Sequence, residues 1–345
     1  MTTATTPFEA DILDQPAALH RIAEAALPEQ LAELTARPWS RIVLTGMGSS
    51  HFAGIPTWRA LTASGKTAWA VDAGQLLDTP ELLTDDTLLV ATSQSGASGE
   101  VVELLDRIDG GQRPGAVIGI AADENSPLAQ RADLFLPLHS GPEATVSTKS
   151  YLNTLVAHEA FIAAATGGDV HAAQREAARI ADTVQHVIDT TPTAAIAVTA
   201  LSADRPRFAT VGNRDNAATA LFAGLITKES SKVAAEGHIG GQFRHGPFEL
   251  AGPGFTGVLY GARSADTDGS VRRLATDLVA TGAQVVLVGD LEIDGAITLA
   301  APASSRLEGL ATGAVVAQLL AVDLARENGV EPGAFAFGSK VTTAL

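Results

Sequence analysis

Short apolar runs alternate along this chain with stretches whose hydrophobic positions recur every three to four residues. In the first half, "RIVLTGMG" (41–48), "AWAVDA" (68–73), "TLLVATS" (87–93), "AVIGIAA" (116–122) and "LFLPL" (134–138) predict buried strands. Segments between them, such as "GEVVELLDRI", carry helical spacing. Two long Ala-rich helical stretches follow, "STKSYLNTLVAHEAFIAAATG" and "HAAQREAARIADTVQHVIDTT", and end near Pro192. The alternation then restarts. "FATVGNR" (208–214), "TGVLYGA" (256–262) and "QVVLVGD" (284–290) are strands. "DNAATALFAGLITKESSKV", opened by Asp215 as N-cap, and "SVRRLATDLVATG" are helices. Strands alternating with helices predict parallel, doubly wound sheets, so the fold class is α/β. The order predicts a helical segment over 1–30, a first lobe over 31–170, connecting helices over 171–200, a second lobe over 201–335 and a tail over 336–345.

Composition narrows the function classes. A formal net charge of −16, with no basic stripe, argues against nucleic acid and against an anionic membrane surface. The absence of cysteine excludes disulfides, thiolate metal sites and a cysteine nucleophile. The N-terminal "MTTATTPFEADILDQP" has no signal-peptide pattern, and no window approaches the ~20 apolar residues of a membrane span. A cytoplasmic protein is the expectation.

Two loops invite chemistry. "ATSQSGASGE" (91–100) lies between a strand and a helix, rich in hydroxyls and without Lys or Arg, and "GMGSSH" (46–51) occupies the equivalent place after another strand. In open parallel sheets ligands sit at the carboxyl ends of strands. Backbone N–H groups at a helix start, flanked by hydroxyls, form a neutral cradle for a phosphate. The plain alternative is that Ser93, Ser95 and Ser98 cap a helix and turn the chain. "GMGSSHFAG" lacks the third Gly of a dinucleotide fingerprint, and there is no Walker P-loop. No His/Asp/Glu cluster has metal-ligand spacing, and "HEAF" lacks the second His of a zinc helix. The expectation is therefore no metal and no cofactor.

Glu229 in "LITKESSKV", His245 in "FRHGP" and Lys340 near the C-terminus can each move protons. Taken alone, Glu229 is a solvated helix residue paired with Lys228 or Lys232, His245 a surface histidine and Lys340 part of a fraying tail. His51, after the first loop, suits substrate contact and a helix surface equally well, and the other histidines are structural.

Taken together, "GMGSS", "SQSGASGE", "SPLAQRAD", "GPEATVSTKSYL", "GGQFRHGP" and "GSKVTTAL", in this order and across nearly the whole chain, resemble the sugar isomerase (SIS) superfamily. Within it they are similar to the isomerase half of glutamine–fructose-6-phosphate aminotransferase and its stand-alone relatives. The resemblance implies two tandem SIS-type three-layer α/β/α lobes. It also implies a sugar-phosphate site made by Ser49 and Ser50, by Ser93, Gln94, Ser95 and Ser98, and by Ser147. In the family a Glu precedes the His of the HGP motif by sixteen residues, the spacing of Glu229 and His245. That Glu transfers a proton between C1 and C2, and that His, supplied by the neighbouring subunit, assists ring opening. A homodimer with shared sites is thus implied. Lys340 matches a near-terminal Lys that forms an imine with the open-chain sugar, on a tail that covers the substrate.

The sequence also departs from the pattern. The segment between Glu143 and Lys149 is one residue shorter than in the family, Phe222 and Ile226 replace a Glu and a Lys, and Gln242 replaces a Glu. The cysteine-nucleophile glutaminase domain is missing, so glutamine-dependent synthesis is not expected of this chain alone. An amino-sugar-6-phosphate deaminase/isomerase ranks first. A fructosamine-6-phosphate deglycase and a non-catalytic sugar-phosphate sensor are the alternatives.

Overall fold

The computed structural model describes residues 4–111, 114–263 and 266–343. The first part of the chain runs α1 (Pro7–Leu13), α2 (Gln15–Glu24), α3 (Gln30–Thr35), β1 (Arg41–Gly46), α4 (Ser49–Ala63), β2 (Ala68–Ala70), α5 (Ala73–Asp78) and β3 (Thr87–Thr92). It continues with α6 (Gly99–Asp109), β4 (Ala116–Ala121), α7 (Pro127–Arg131), β5 (Leu134–Pro137), α8 (Lys149–Thr166) and α9 (Ala172–Thr190). The second part holds α10 (Ala194–Leu201), β6 (Arg207–Gly212), α11 (Asn216–Ser231), β7 (Ala235–Ile239), β8 (Phe255–Tyr260), α12 (Ser270–Ala280), β9 (Gln284–Val288), β10 (Ile297–Leu299) and α13 (Arg306–Glu327). These elements form two compact units. The first lobe comprises 17–142, 149–179 and the tail from Gly338, and the second comprises 143–148, 180–337 and the N-terminal segment up to Pro16.

Each lobe is built on a five-stranded, wholly parallel sheet, in the order β2-β1-β3-β4-β5 and β10-β9-β8-β6-β7. Read from the other edge, the second order is that of the first, so the restart in the sequence is a repeat of topology. Both faces of a parallel sheet are covered, and its central strands read as continuous apolar runs for that reason. In the first lobe Val43, Leu89 and Val117 pack with Leu104 and Ile108 of α6. Leu44, Val90 and Ile118 face the other way, toward Phe161 of α8. In the second lobe Val211, Leu259 and Val285 pack against Leu274 and Leu278 of α12.

All eight strands expected from the sequence are present, with ends shifted by one to three residues. The unpredicted strands, β7 and β10, are both at the edges of the second sheet. An edge strand needs no buried apolar run, and "AEGHI" with its Gly and charge has none. Two further expectations need correcting. Asp215 stands at the N-cap of α11, but in helical backbone geometry and without a side-chain capping bond. And α13 is long and apolar enough to cross a membrane, contrary to the reading of the sequence, with a mean hydropathy of 1.5 over 18 residues. Most of that window (83%) is buried inside the protein. Its apolar surface on all sides is the mark of a core helix.

Candidate functional site

The sheet order of the first lobe reverses between β1 and β3, because β1 leads to β2 on one side and β3 to β4 on the other. The crevice at such a switch point, at the carboxyl ends of the strands, is where open α/β sheets bind ligands. Both loops singled out in the sequence open here. Gly46 closes β1 so tightly against β3 that a Cβ would lie 2.6 Å from the Thr92 carbonyl oxygen. Ser49 and Ser50 begin α4, whose N-cap, Gly48, offers no side chain. On the other side Ser93, Gln94, Ser95 and Ser98 follow β3.

The hydroxyls of this second loop do not cap α6. Ser98 occupies the N-cap in extended geometry, yet it makes no side-chain capping bond; its Oγ lies 2.8 Å from Ser93 Oγ. Ser95 Oγ accepts from Ala97 N–H at 3.2 Å, which shapes the turn. Gly96, at φ 66°, permits the reversal, and a Cβ there would sit 2.1 Å from Ser126 Oγ. The crevice thus faces two helix N-termini without side-chain caps, where N–H dipoles favour an anion. Other helices carry a side-chain cap, Asp72 on α5, Ser126 on α7 and Ser305 on α13, whereas the N-cap residues of α3, α10, α11 and α12 make no capping bond either. At α6 the Gly99 N–H donates instead to the Thr342 carbonyl of the tail, at 2.9 Å.

The second lobe answers the same position differently. There the carboxylate of Asp266 accepts from Val271 N–H at 2.9 Å and from Arg272 N–H at 3.1 Å. The protein's own anion already sits at the start of α12.

The remaining candidates are spread over both units. Glu229 is half-buried on the last turn of α11. Lys228 pairs with Glu236 at 3.4 Å, and the charge of Glu229 acts on Lys232. Lys232 donates to the main-chain carbonyls of Glu229 and Ala334 and lies over the Phe335 ring. His245 is exposed, beyond the 3-10 turn Gly240–Arg244 that follows β7. Within one chain β7 and this turn separate the two side chains. Ser147 lies in a loop of the second unit that Glu143 closes, its carboxylate taking the N–H and the hydroxyl of Thr148, both at 2.8 Å. Lys340 is half-buried in the tail of the first unit. Phe222 and Ile226 are fully buried, and Gln242 is exposed.

The model family for the SIS domain matches residues 36–164. Residues 36–164 form a SIS domain. The glutamine–fructose-6-phosphate aminotransferase of Aeropyrum pernix is 29% identical over 299 residues, which are 82% of this chain and 48% of that protein. The chain spans about half the length of the curated relatives it matches. Among solved structures, tagatose-6-phosphate ketose/aldose isomerase from Escherichia coli aligns with a TM-score of 0.79 at 22% identity, covering 96% of each chain. Glucosamine-6-phosphate deaminase from Thermotoga maritima aligns with a TM-score of 0.74 at 20% identity, over 97% of this chain and 99% of that one. At such identities the likeness concerns the fold: two tandem SIS-type lobes.

Two histidines of the SIS domain have defined surroundings. His158 of α8 is fully buried, with Nδ1 2.9 Å from Thr57 Oγ1 on α4 and Nε2 3.1 Å from Thr92 Oγ1 at the end of β3. It ties together the two elements that carry the phosphate-type loops, and burial pushes its imidazole down to about 4. Sequence reading had no signal for this, since one His in an apolar helix looks the same whatever it bonds. His51, on the first turn of α4, is half-buried; its Nδ1 is enclosed and finds no partner among the described residues. Burial holds it below the usual histidine range, opposed by the nearby charge of Asp72. Among the described residues no three His, Cys, Asp or Glu side chains gather as a metal site.

Proposed function

We propose that this SIS protein processes a sugar phosphate, as an amino-sugar-6-phosphate deaminase/aldose–ketose isomerase of the glucosamine- or galactosamine-6-phosphate type. The observation that carries the reading is the crevice between β1 and β3, with its two helix N-termini free of side-chain caps and its ring of hydroxyls. A phosphate there takes backbone N–H groups of α4 and α6 together with Ser49, Ser50, Ser93, Gln94, Ser95 and Ser98. No cation is needed, because dipoles and hydroxyls together hold the charge. The family match and the aminotransferase relatives support the substrate class.

In this reading Glu229 carries the proton between C1 and C2 of the ring-opened sugar. His245 protonates or deprotonates the ring oxygen and Lys340 holds the open chain as an imine. A homodimer in which each site takes its His from the partner belongs to the same reading. The tail from 336 onward closes over the substrate, and excluding water there strengthens every charge contact.

Phe222 and Ile226, apolar and buried where the resemblance has charged groups, favour the deglycase as second reading. The test is a panel of hexosamine and fructosamine 6-phosphates, with ammonia, free amino acid and ketose phosphate measured. Release of ammonia and a ketose phosphate supports the first reading, and release of an amino acid supports the second. Lys340→Ala sharpens the choice, as it cripples turnover of ring-closed amino sugars and spares a deglycase substrate. Saturable binding without turnover of any member would leave a sensor and sink both.

A further inference from the structure

The repeat of topology gives the second lobe a switch point of its own, between β6 and β8. A cavity of about 460 Å3 lies there, within the range of small-molecule pockets. Val211, Leu259, Val271 and Leu274 supply apolar wall. Asn213, Ser270, Arg244, Arg273 and Asp277 bring polar groups to it. Ser270, Arg273 and Asp277 recur at intervals of three and four, so α12 turns one polar stripe toward the cavity. Asn213 is fixed, with Nδ2 2.5 Å from Ser270 Oγ and its amide packed onto Gly240, where a Cβ would lie 1.4 Å from its Oδ1. A Cβ on Gly241 would meet nothing within 4 Å, so the backbone there borders open space.

The local charge balance decides what fits. Arg244 pairs with Asp277 at 2.6 Å, and Arg214 lies 3.6 Å from Asp268. Asp266 is held by the backbone of α12. Arg273 donates to the Asp268 main-chain carbonyl at 2.8 Å and also lies in the field of the Asp268 carboxylate. Among the lining residues two guanidinium groups, Arg244 and Arg273, therefore face one carboxylate, Asp277, while the charge of Asp268, which is not a lining residue, is shared between Arg214 and Arg273. The helix N-terminus cannot serve the ligand, because Asp266 fills it. The arginines are left to take the anion, and their planar forks match a phosphate.

We propose that this cavity is a second binding site, for a small phosphate monoester whose carbon skeleton lies against Val211 and Leu259 and whose phosphate meets Arg273 and Arg244. It is separate from the crevice of the first lobe and does not depend on the reaction assigned to that crevice. Because Arg244 adjoins His245, occupancy is felt in the segment that carries the proposed acid/base group. The site therefore suits an effector.

The test is calorimetric and 31P NMR titration of the full chain with fructose 6-phosphate, comparing wild type with Ser95→Ala, Arg273→Gln and Gly241→Leu. Gly241→Leu fills the cavity without changing charge, and it keeps the test sharp should Arg273→Gln misfold by circular dichroism. Two classes of site are expected in wild type. Ser95→Ala retains the second class, whereas Arg273→Gln and Gly241→Leu weaken it at least tenfold. The proposal is overturned if Arg273→Gln and Gly241→Leu bind as wild type does, or if Ser95→Ala abolishes all saturable binding.

Discussion

His158 offers the most direct test of how the SIS domain holds its two loops apart. The neutral imidazole has one N–H, so it donates to one threonine and accepts from the other, and both Thr57 and Thr92 are fully buried. A proton on the ring would break that arrangement. Burial holds the folded imidazole at about 4, below the ordinary histidine value of 6.5, so the unfolded chain takes up the proton first as pH falls. The stability tied to the neutral ring is complete above about pH 6.5 and is lost as pH drops toward 4. At 1.36 kcal/mol per unit the whole loss is roughly 3 kcal/mol, a large part of a domain's margin. His158→Phe removes the titration and keeps the volume close, but strands two buried hydroxyls at a cost of about 1–3 kcal/mol each. Trp39, Trp58 and Trp69 are the three tryptophans and all belong to the first lobe, so their fluorescence in urea reports on this lobe. Wild type should unfold at higher urea than His158→Phe at pH 7.5, and the gap should shrink by roughly 2–3 kcal/mol at pH 4.5. Carboxylates that titrate in both proteins cancel in the difference. Parallel pH profiles of the two proteins would refute a buried, neutral, doubly bonded His158.

Other outcomes follow from the same geometry. Ser98→Ala removes the Ser93–Ser98 bridge and should weaken fructose 6-phosphate binding about tenfold in calorimetry, or ~1.4 kcal/mol, while a chelator leaves turnover of the panel substrate unchanged. Gly96→Ala forces a Cβ into Ser126 at positive φ and should destabilise the first lobe by about 1–3 kcal/mol, read as a lower urea midpoint. Glu229→Gln should abolish turnover and keep phosphosugar binding. Mixing inactive Glu229→Gln and His245→Ala subunits should restore part of the activity if the His acts in trans, and a mixture as dead as its components argues for sites within one chain.

The strands were legible because parallel sheets covered on both faces turn "TLLVAT" and "AVIGIA" into unbroken apolar runs. β7 and β10 were not, because edge strands tolerate Gly, Glu and His, and so lose the pattern. The apolar stretch of α13 did not stand out because its few charges, such as Glu308, interrupt the run. Glu308 is nonetheless buried, held by the N–H and hydroxyl of Ser304. The hydroxyl loops were conspicuous in the sequence, but composition could not separate a cap from a cradle. That distinction rests on where one oxygen points: Ser98 turns to Ser93 and leaves α6 without a side-chain cap. The clamp at His158 was invisible for a related reason, since its partners lie 101 and 66 residues away in the chain.

The two lobes share a strand order yet differ at the helix after the third strand, and the difference comes down to a few side chains. In the first lobe the helix after the third strand begins with a serine that declines to cap, and the helix after the first strand begins with a glycine that cannot. Neither N-terminus is closed by a side chain, although the Gly99 N–H of α6 donates to the Thr342 carbonyl of the tail. In the second lobe Asp266 folds back onto α12 and satisfies the corresponding N–H groups, at 2.9 and 3.1 Å. A carboxylate there repels any further anion from the helix itself, so affinity for one has to come from guanidinium side chains further along the wall. Duplicated topology therefore preserves the crevice without preserving its chemistry. The fold supplies the position, and a single capping carboxylate decides whether the backbone or the arginines face the ligand.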